Sequence, residues 1–180
     1  RRKDGSVFPV EVNVTFVRLD RDYLIAVVRD ITERKRAEAA LTESHSLFRA
    51  VVEGTSDAVY VKDLDGRYLL INAAGTRFLG AIEAQEVIGR RASELLPPED
   101  ADVVAAHDRQ VTASGASETF EERVTAGGVT RTFVSTKSVY RDARGAAIGV
   151  IGISSEVTDL KRLETQLWQA QKTITLTRPS

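Results

Sequence analysis

The stretch EVTDLKRLETQL at residues 156–167 decides how this chain is organised, because it repeats an earlier stretch, DITERKRAEAAL, at residues 30–41. The second copy begins 126 positions after the first, and both copies place Thr, Lys, Arg, Glu and Leu at matching positions. Each copy follows an apolar run and leads into a charged run of helix-favouring residues. A repeat at this distance indicates two related folded units, each ending where a strand passes into a helix.

A threonine stands at each of these passages, Thr32 in the first copy and Thr158 in the second. A threonine hydroxyl can accept a hydrogen bond from an unpaired backbone N–H at the start of a helix, and a following acid suits the positive end of the helix dipole. We therefore expect both threonines to cap the helices that follow them.

The composition restricts the class of protein. The 180 residues are 42% hydrophobic, which is enough for a folded core, and their net charge of −1 gives no basic surface for nucleic acid. The absence of cysteine excludes disulfides, thiolate metal ligands and cysteine nucleophiles. No apolar run approaches the roughly 18 residues of a membrane span. We expect a cytoplasmic protein, or the cytoplasmic part of a larger one, with no direct membrane contact.

The first 53 residues predict the end of one unit and a connecting helix. Apolar and polar side chains alternate over residues 10–16, and a turn at residues 19–22 leads into a second strand. Because two strands do not make an independent core, residues 1–32 are expected to be the C-terminal strands of a truncated upstream unit. Residues 33–53 contain no Gly or Pro and predict one long connector helix.

Residues 45–159 predict one complete unit. Turn residues divide this range into two strands, three short or medium helices and three further strands. Such an order gives an antiparallel sheet with the helices gathered on one side, which is the α+β class.

A coiled-coil helix is predicted over residues 159–173, with a tail at residues 174–180. The helix has an apolar seam at the spacing of coiled-coil contact positions. Its members are Leu160, Leu163, Leu167 and Ala170.

Three strings in the complete unit carry a resemblance to a known family: SLFRAVVEGTSDAVYVKDLDGRYLLINAAGTRFLG at 46–80, EVIGRRASELLPPED at 86–100 and GVIGISSEVTDLKR at 149–162. In this order and spacing they resemble the PAS domain family, and residues 1–32 resemble the last strands of a preceding PAS unit. Glu156 departs from the family, whose signature has Asp at this position. The resemblance implies a five-stranded antiparallel sheet that cups helices around a cavity of small-molecule size.

The resemblance also implies a regulatory role. The module is expected to sense a small ligand or to mediate dimerisation, and to relay its state through the coiled-coil helix to an output domain, in this family commonly a histidine kinase. The alternatives are a ligand-free dimerisation spacer, a haem or flavin redox sensor, and the input domain of a cyclic-dinucleotide enzyme. The chain carries no catalytic or metal-binding motif, so neither an enzyme active site nor a metal site is predicted in it.

The relay is expected to pass through the strand-Thr-helix junctions. A homodimer held by the connector helices and a possible small-molecule ligand are the expected partners, and nucleic acid is not expected. The junction residues are Asp30, Thr32, Glu156, Val157, Thr158 and Asp159.

The cavity is expected to be lined from both the sheet and the long helix. His107 shares a helical face with Val104 and Val111, and some PAS domains bind haem through a histidine on this helix. Its polar neighbours favour a hydrogen-bonded histidine instead, so no cofactor is required, and a cysteine-linked flavin is excluded. The expected pocket residues are Val59, Val61, Leu70, Val104, His107, Val111, Phe133, Ser135, Lys137, Ile151 and Ile153.

Ser135 and Lys137 mark the polar side of this expected cavity. They occupy a strand face that is wholly apolar in the first unit, where Val12 and Val14 stand at the equivalent positions. Since an unpaired buried charge is costly, Lys137 should meet a carboxylate, reach water at the sheet edge, or meet a ligand. One hypothesis is that Ser135 and Lys137 form an anion-accepting wall.

Overall fold

The computed structural model describes residue 3 and residues 5–176, with the backbone alone for residue 170 and residues 173–176. It divides into two compact units, Arg1–Val51 and Val52–Ser180. In the first, β1 (Val10–Arg18) pairs antiparallel with β2 (Asp22–Asp30), and α1 (Thr32–Glu53) follows. None of the described residues of the first unit is buried. This matches the expectation that two strands alone enclose no core.

The second unit is built on a five-stranded antiparallel sheet, as the sequence predicts. The strand order is β4-β3-β7-β6-β5, so the first and last strands of the unit lie side by side in the middle of the sheet. The strands are β3 (Ala58–Asp63), β4 (Tyr68–Ile71), β5 (Glu118–Ala126), β6 (Val129–Arg141) and β7 (Ala147–Glu156).

Two helices and two 3₁₀ turns connect β4 to β5. They are α2 (Ala73–Phe78), the 3₁₀ turns Ala84–Glu86 and Ala92–Glu94, and α3 (Pro98–Ser114). Proline in the first turn of α3 needs no intrahelical N–H partner, and Gly115 ends the helix at a φ of 70°, which is the left-handed conformation that glycine adopts easily. These elements cover one face of the sheet, and the apolar core lies between them and the strands.

Asn72 fixes the entry to α2. Its side-chain oxygen accepts hydrogen bonds from Gly75 N at 2.9 Å and from Val59 N at 3.1 Å, while its amide donates to the carbonyls of Val52 and Asp57. The side chain is completely buried. One residue therefore caps the helix and holds its start against β3.

Helix α4 (Thr158–Leu176) leaves the sheet directly after β7. It continues to Leu176, past residue 173 where the sequence predicted its end, because this segment holds no Gly or Pro to stop it. Leu160, Leu163 and Leu167 are exposed, so their apolar seam is uncovered within the described chain. The side chain of Ala170, and residues 177–180 of the predicted tail, lie outside the described residues.

Candidate functional site

A group of ionisable side chains lies between the inner face of the sheet and α3 and is here called the ion cluster: Lys62, His107, Asp108, Glu122 and Lys137. They come from β3, α3, β5 and β6. The sheet and the covering helix are thus tied together by charges as well as by apolar packing.

Lys137 lies at the centre of the ion cluster and has no exposed surface. Its Nζ is 2.8 Å from Asp108 Oδ1 and 2.7 Å from Glu122 Oε1, and it donates a longer hydrogen bond of 3.3 Å to Val104 O. An ammonium group has three donors, so all three are used. Of the three outcomes expected for Lys137, the structure selects the carboxylate partner. The water-facing position at the sheet edge is wrong.

Lys62 is held differently. Its Nζ donates to Asp108 Oδ2 at 2.8 Å and lies 5.2 Å and 4.8 Å from the ring centroids of Tyr60 and Tyr68. Among the described residues, Asp108 is the only hydrogen-bond acceptor that Lys62 reaches. Burial lowers the pKa of Lys62, but Tyr68 and Asp108 outweigh it and raise that pKa above its usual value. Lys62 is therefore a buried cation with donor capacity left over.

The two carboxylates of the ion cluster are ionised. Burial acts to raise the pKa of Asp108, but Lys62 and Lys137 outweigh it and hold that pKa below its usual value. Burial also acts to raise the pKa of Glu122, but Lys137 outweighs it and holds that pKa below its usual value. The ammonium groups of Lys62 and Lys137 thus face the carboxylates of Asp108 and Glu122, two against two. Balanced pairing is the condition under which buried charges persist.

His107 closes the ion cluster at the β5 side. Its Nδ1 lies 2.7 Å from Glu122 Oε1, and its ring stacks on Phe120 with centroids 4.0 Å apart and planes inclined by 11°. This is the hydrogen-bonded histidine that the polar neighbours favoured. A ring held on one side by a carboxylate and on its face by an aromatic has a fixed orientation.

A cavity of about 60 Å³ remains between the sheet and the helices. Val104, Phe133 and Ser135 line it, as predicted, and Ser135 Oγ lies 2.7 Å from Ser154 Oγ at its wall. Pockets that enclose drug-sized ligands measure roughly 300–1,000 Å³. The interior of this domain therefore has room for a few water molecules rather than for a large ligand.

A second, larger opening of about 530 Å³, here called the cleft, lies between the β3–β4 turn and α3. Lys62 and Asp108 lie at its inner end, and Arg91, Asp102 and Arg109 contribute to its charged lining. The lining of the cleft is more polar than that of the internal cavity, and it includes two members of the ion cluster.

Five of the predicted pocket residues lie on the wrong face of the sheet. The inner face of β3 and β7 is formed by alternate, buried residues, among them Tyr60, Lys62 and Ser154. Their neighbours pair with one another across the strands and point the other way, as Val59 does with Ile153. The apolar character of these residues suggested the inner face, but the ion cluster occupies it instead. The misplaced residues are Val59, Val61, Leu70, Ile151 and Ile153.

The remaining predicted pocket residues line neither opening: His107, Val111 and Lys137. Val111 and Lys137 are fully buried instead. The sequence analysis missed Lys62, Asp108 and Glu122. Lys62 stands at every-second-residue spacing from Ala58 and Tyr60, and Asp108 lies one helical turn beyond Val104. Each charged residue thus falls at the strand or helix spacing of buried apolar residues, and this spacing was the sequence signal that could have placed it inside.

The junction between the sheet and α4 is closed by Thr158. Its hydroxyl accepts a hydrogen bond from Thr132 N at 3.0 Å and donates one to Glu156 Oε1 at 2.9 Å. The capping role predicted for Thr158 is wrong, because the hydroxyl oxygen accepts from an amide of β6 rather than from its own helix. Val157 N also donates to Thr132 O at 2.8 Å, so the start of the helix is bound to the sheet twice.

Two ion pairs border this junction. Arg131 Nε lies 3.7 Å from Glu156 Oε1, and Lys161 Nζ of α4 lies 2.8 Å from Glu121 Oε2 of β5. Within the described part of the chain, Asp159 pairs only with Arg162, one helical turn away.

In the first unit Thr32 makes the corresponding contact: its hydroxyl donates to Asp30 Oδ1, which also accepts from Thr32 N. The acid two residues before the threonine is thus the shared element of both junctions.

Comparison with known proteins agrees with this architecture. A family model described as "PAS fold" matches residues 52–162, and one described as "PAS domain" matches residues 1–33. The chain belongs to the PAS family. The solved PAS domain of BvgS from Bordetella pertussis is 25% identical, with a TM-score of 0.55 over 73% of this chain and 98% of that one.

The PAS chain is also similar to segments of much longer regulators. The virulence sensor protein BvgS of Bordetella pertussis is 31% identical over 83% of this chain and 12% of its own length. The methanogenesis regulatory histidine kinase FilI of Methanothrix harundinacea is 30% identical over 71% and 14%, and a diguanylate cyclase of Vibrio cholerae is 30% identical over 76% and 43%. The chain spans less than half the length of each of these relatives.

Proposed function

We propose that the second unit is a regulatory PAS input module that passes a change in its sheet to an output domain through α4. The junction at Thr158 is the observation that carries this proposal. A single hydroxyl joins the Thr132 amide of β6 to the Glu156 carboxylate at the end of β7. Since α4 begins at this residue, a displacement of β6 relative to β7 changes the direction in which the helix leaves the sheet.

Strand β5 offers a route from the ion cluster to the same helix. Glu122 points inward and binds Lys137, while its neighbour Glu121 is exposed and binds Lys161 of α4. Adjacent residues of a strand point to opposite faces. Rearrangement of the ion cluster around Glu122 therefore moves the residue that holds the exit helix.

The output domain is proposed to be a histidine kinase, in the cytoplasm, with a cyclic-dinucleotide enzyme as the alternative. FilI supports the first assignment and the diguanylate cyclase of Vibrio cholerae supports the second. Among the described residues, no helix is both long and apolar enough to span a membrane.

The proposed partner is a second copy of the same chain, joined through its helices. The apolar residues Leu160, Leu163 and Leu167 of α4 are each more than half exposed. Their spacing is that of a coiled-coil seam, and pairing with the same seam of a second copy would cover them. Two packings of such a seam would give the two output states.

The small internal cavity argues against the alternative of a haem or flavin redox sensor. The space of about 60 Å³ is well below the size of a cofactor pocket. His107 Nδ1 is held by Glu122, and the His107 ring stacks on Phe120. A UV-visible spectrum of the freshly purified protein without haem or flavin bands is expected. A Soret or flavin band would overturn this part of the proposal.

The relay is tested by replacing Thr158 with Val, which keeps the branched shape and removes the hydroxyl. Signal-dependent autophosphorylation, or cyclic-dinucleotide synthesis, is then measured for the intact protein. Thr165→Val is the matched control, because Thr165 lies on the same helix and its hydroxyl donates only to Lys161 O. We expect Thr158→Val to reduce the response and Thr165→Val to leave it unchanged. Equal responses from both variants would refute the relay.

A further inference from the structure

We propose that the signal of this input module is the proton, which His107 takes up and which then changes the contacts of Glu122 in the ion cluster. Such a signal deepens the proposed function, on which it rests, by giving the relay a stimulus. The starting observation is the position of His107 at the solvent side of an otherwise buried group of charges.

His107 is the member of the ion cluster that solvent reaches most easily. Its side chain is 22% exposed, compared with 13% for Asp108 and 3% or less for Lys62, Glu122 and Lys137. Histidine is also the side chain whose ordinary titration lies between about pH 5 and 8. A change of pH in this range therefore reaches the ion cluster through His107.

One carboxylate oxygen serves both His107 and Lys137. Glu122 Oε1 lies 2.7 Å from His107 Nδ1 and 2.7 Å from Lys137 Nζ. Because an ionised carboxylate only accepts hydrogen bonds, Nδ1 carries the N–H of this contact, and a further proton binds at Nε2. In the part of the chain that the structure describes, Nε2 has no hydrogen-bond partner that would compete for that proton.

Protonation of His107 adds a third cation to two ammonium groups and two carboxylates. The imidazolium binds Glu122 more strongly than the uncharged ring does, because donor and acceptor are then both charged, and it competes with Lys137 for the same oxygen. Lys137 keeps Asp108 and the carbonyl of Val104 as partners. We therefore expect Glu122 to move toward His107 and away from Lys137.

Glu122 is the carboxylate that responds, because the other acids on the elements packed against α3 have their own partners. Strand β7 adds no charge there, and its buried residues are Val150, Gly152 and Ser154. The residues one helical turn from His107 are uncharged: Val103, Val104, Gln110 and Val111. The partnered acids are Asp108 with Lys62 and Lys137, Glu118 with Gln110 and Ser114, and Glu94 with the backbone N–H of Arg91.

Strand β5 carries the change to α4. The His107 ring stacks on Phe120 and its Nδ1 binds Glu122, so both chain neighbours of Glu121 contact this histidine. Glu121 in turn lies 2.8 Å from Lys161 Nζ of α4. A shift of Glu122 toward His107 moves Glu121 with it, and the ion pair passes that movement to the exit helix.

The test is an NMR titration of the whole chain between about pH 5 and 8, in which backbone amides and imidazole signals are followed together. The chain has two histidines, and the other, His45, is exposed on α1, so replacing each with Gln assigns both signals. We expect amides of β5 and of the first turn of α4 to shift with the same midpoint as the His107 imidazole. These shifts should vanish in His107→Gln and persist in His45→Gln, which is the matched control.

Shifts in β5 that do not follow the His107 imidazole, or that persist in His107→Gln, would overturn the proposal. Glu122→Gln is a second variant, which keeps the shape of the side chain and removes its charge. Its His107 imidazole should still titrate, while the β5 shifts that follow it are lost. Shifts of wild-type size in Glu122→Gln would exclude Glu122 as the responding group, and thermal melts of both variants check that they are folded.

Proton uptake and the relay fail separately in this experiment. Shifts that reach β5 but stop before α4 would support His107 as the proton site and contradict the relay. The absence of any shift linked to His107 would refute the proton signal, and the comparison of Thr158→Val with Thr165→Val then decides the relay by itself.

Discussion

Replacing Lys137 with Met should strongly destabilise the second unit at neutral pH. The change removes a fully buried cation that binds Asp108 and Glu122. Asp108 keeps Lys62, but Glu122 loses its ammonium partner and keeps the contact with His107. Breaking a buried ion pair by removing one partner costs about 3–5 kcal/mol. We expect a loss of free energy of unfolding in that range.

The loss should depend on pH with a definite sign. In the wild type Lys137 holds the pKa of Glu122 below its usual value. Without Lys137, burial is opposed only by the hydrogen bonds of His107 and Ser135 to Glu122, so that pKa rises and Glu122 takes up a proton more easily as the pH falls. A neutral carboxyl needs no counter-charge, and the destabilisation of Lys137→Met should therefore shrink between pH 7 and about pH 5.

Urea unfolding followed by circular dichroism measures both effects, and a double-mutant cycle isolates the pair. Glu122→Gln combined with Lys137→Met should lose less free energy than the two single changes added together, by about 1–3 kcal/mol. Lys161→Met is the control, because Lys161 also forms two ion pairs but at the surface, and its urea midpoint should stay near the wild-type value. A Lys137→Met variant as stable as wild type at pH 7, or an additive cycle, would refute the reasoning.

Three further outcomes are expected. Wild-type stability should decline as the pH falls below about 4. The reason is that Asp108 and Glu122 have lowered pKa values in the folded state, so their contribution to stability is lost as they are protonated. Urea midpoints measured from pH 7 to pH 3 test this. Gly152→Ala should cost about 1–3 kcal/mol, since the new Cβ would lie 2.2 Å from the Tyr60 ring; an unchanged thermal midpoint would contradict that packing. Leu163→Glu should lower the solution mass from dimer to monomer in analytical ultracentrifugation. Gln166→Glu on the same helix should leave the mass unchanged. Equal masses for the two variants would show that the apolar seam of α4 does not hold a dimer together.

The order of strands and helices was predictable because it depends on local patterns. Turn residues, alternation in strands such as β3, and the capping residue Asn72 act over a few positions, and the five-stranded antiparallel sheet followed from them. The repeat of Thr32 at Thr158 likewise located both strand-to-helix passages.

Which face of a strand points inward was not predictable from the same patterns. Alternation separates Val59 and Val61 from Tyr60 and Lys62 but does not say which pair is buried. Hydrophobicity favoured the valines, and the structure buries Lys62 because Asp108, 46 positions away, neutralises it. A charge balance assembled from distant segments leaves no local signature, so the ion cluster appears only in three dimensions.

The two matching strand-to-helix junctions have a consequence for how such proteins gain or lose whole units. Thr32 with Asp30 and Thr158 with Glu156 make the same hydroxyl-to-carboxylate contact at the end of a strand. Removing residues 32–157 would place Thr158 directly after Ile31 and restore that contact with Asp30. A chain joined at these points keeps a threonine two residues after the acid that ends the preceding strand.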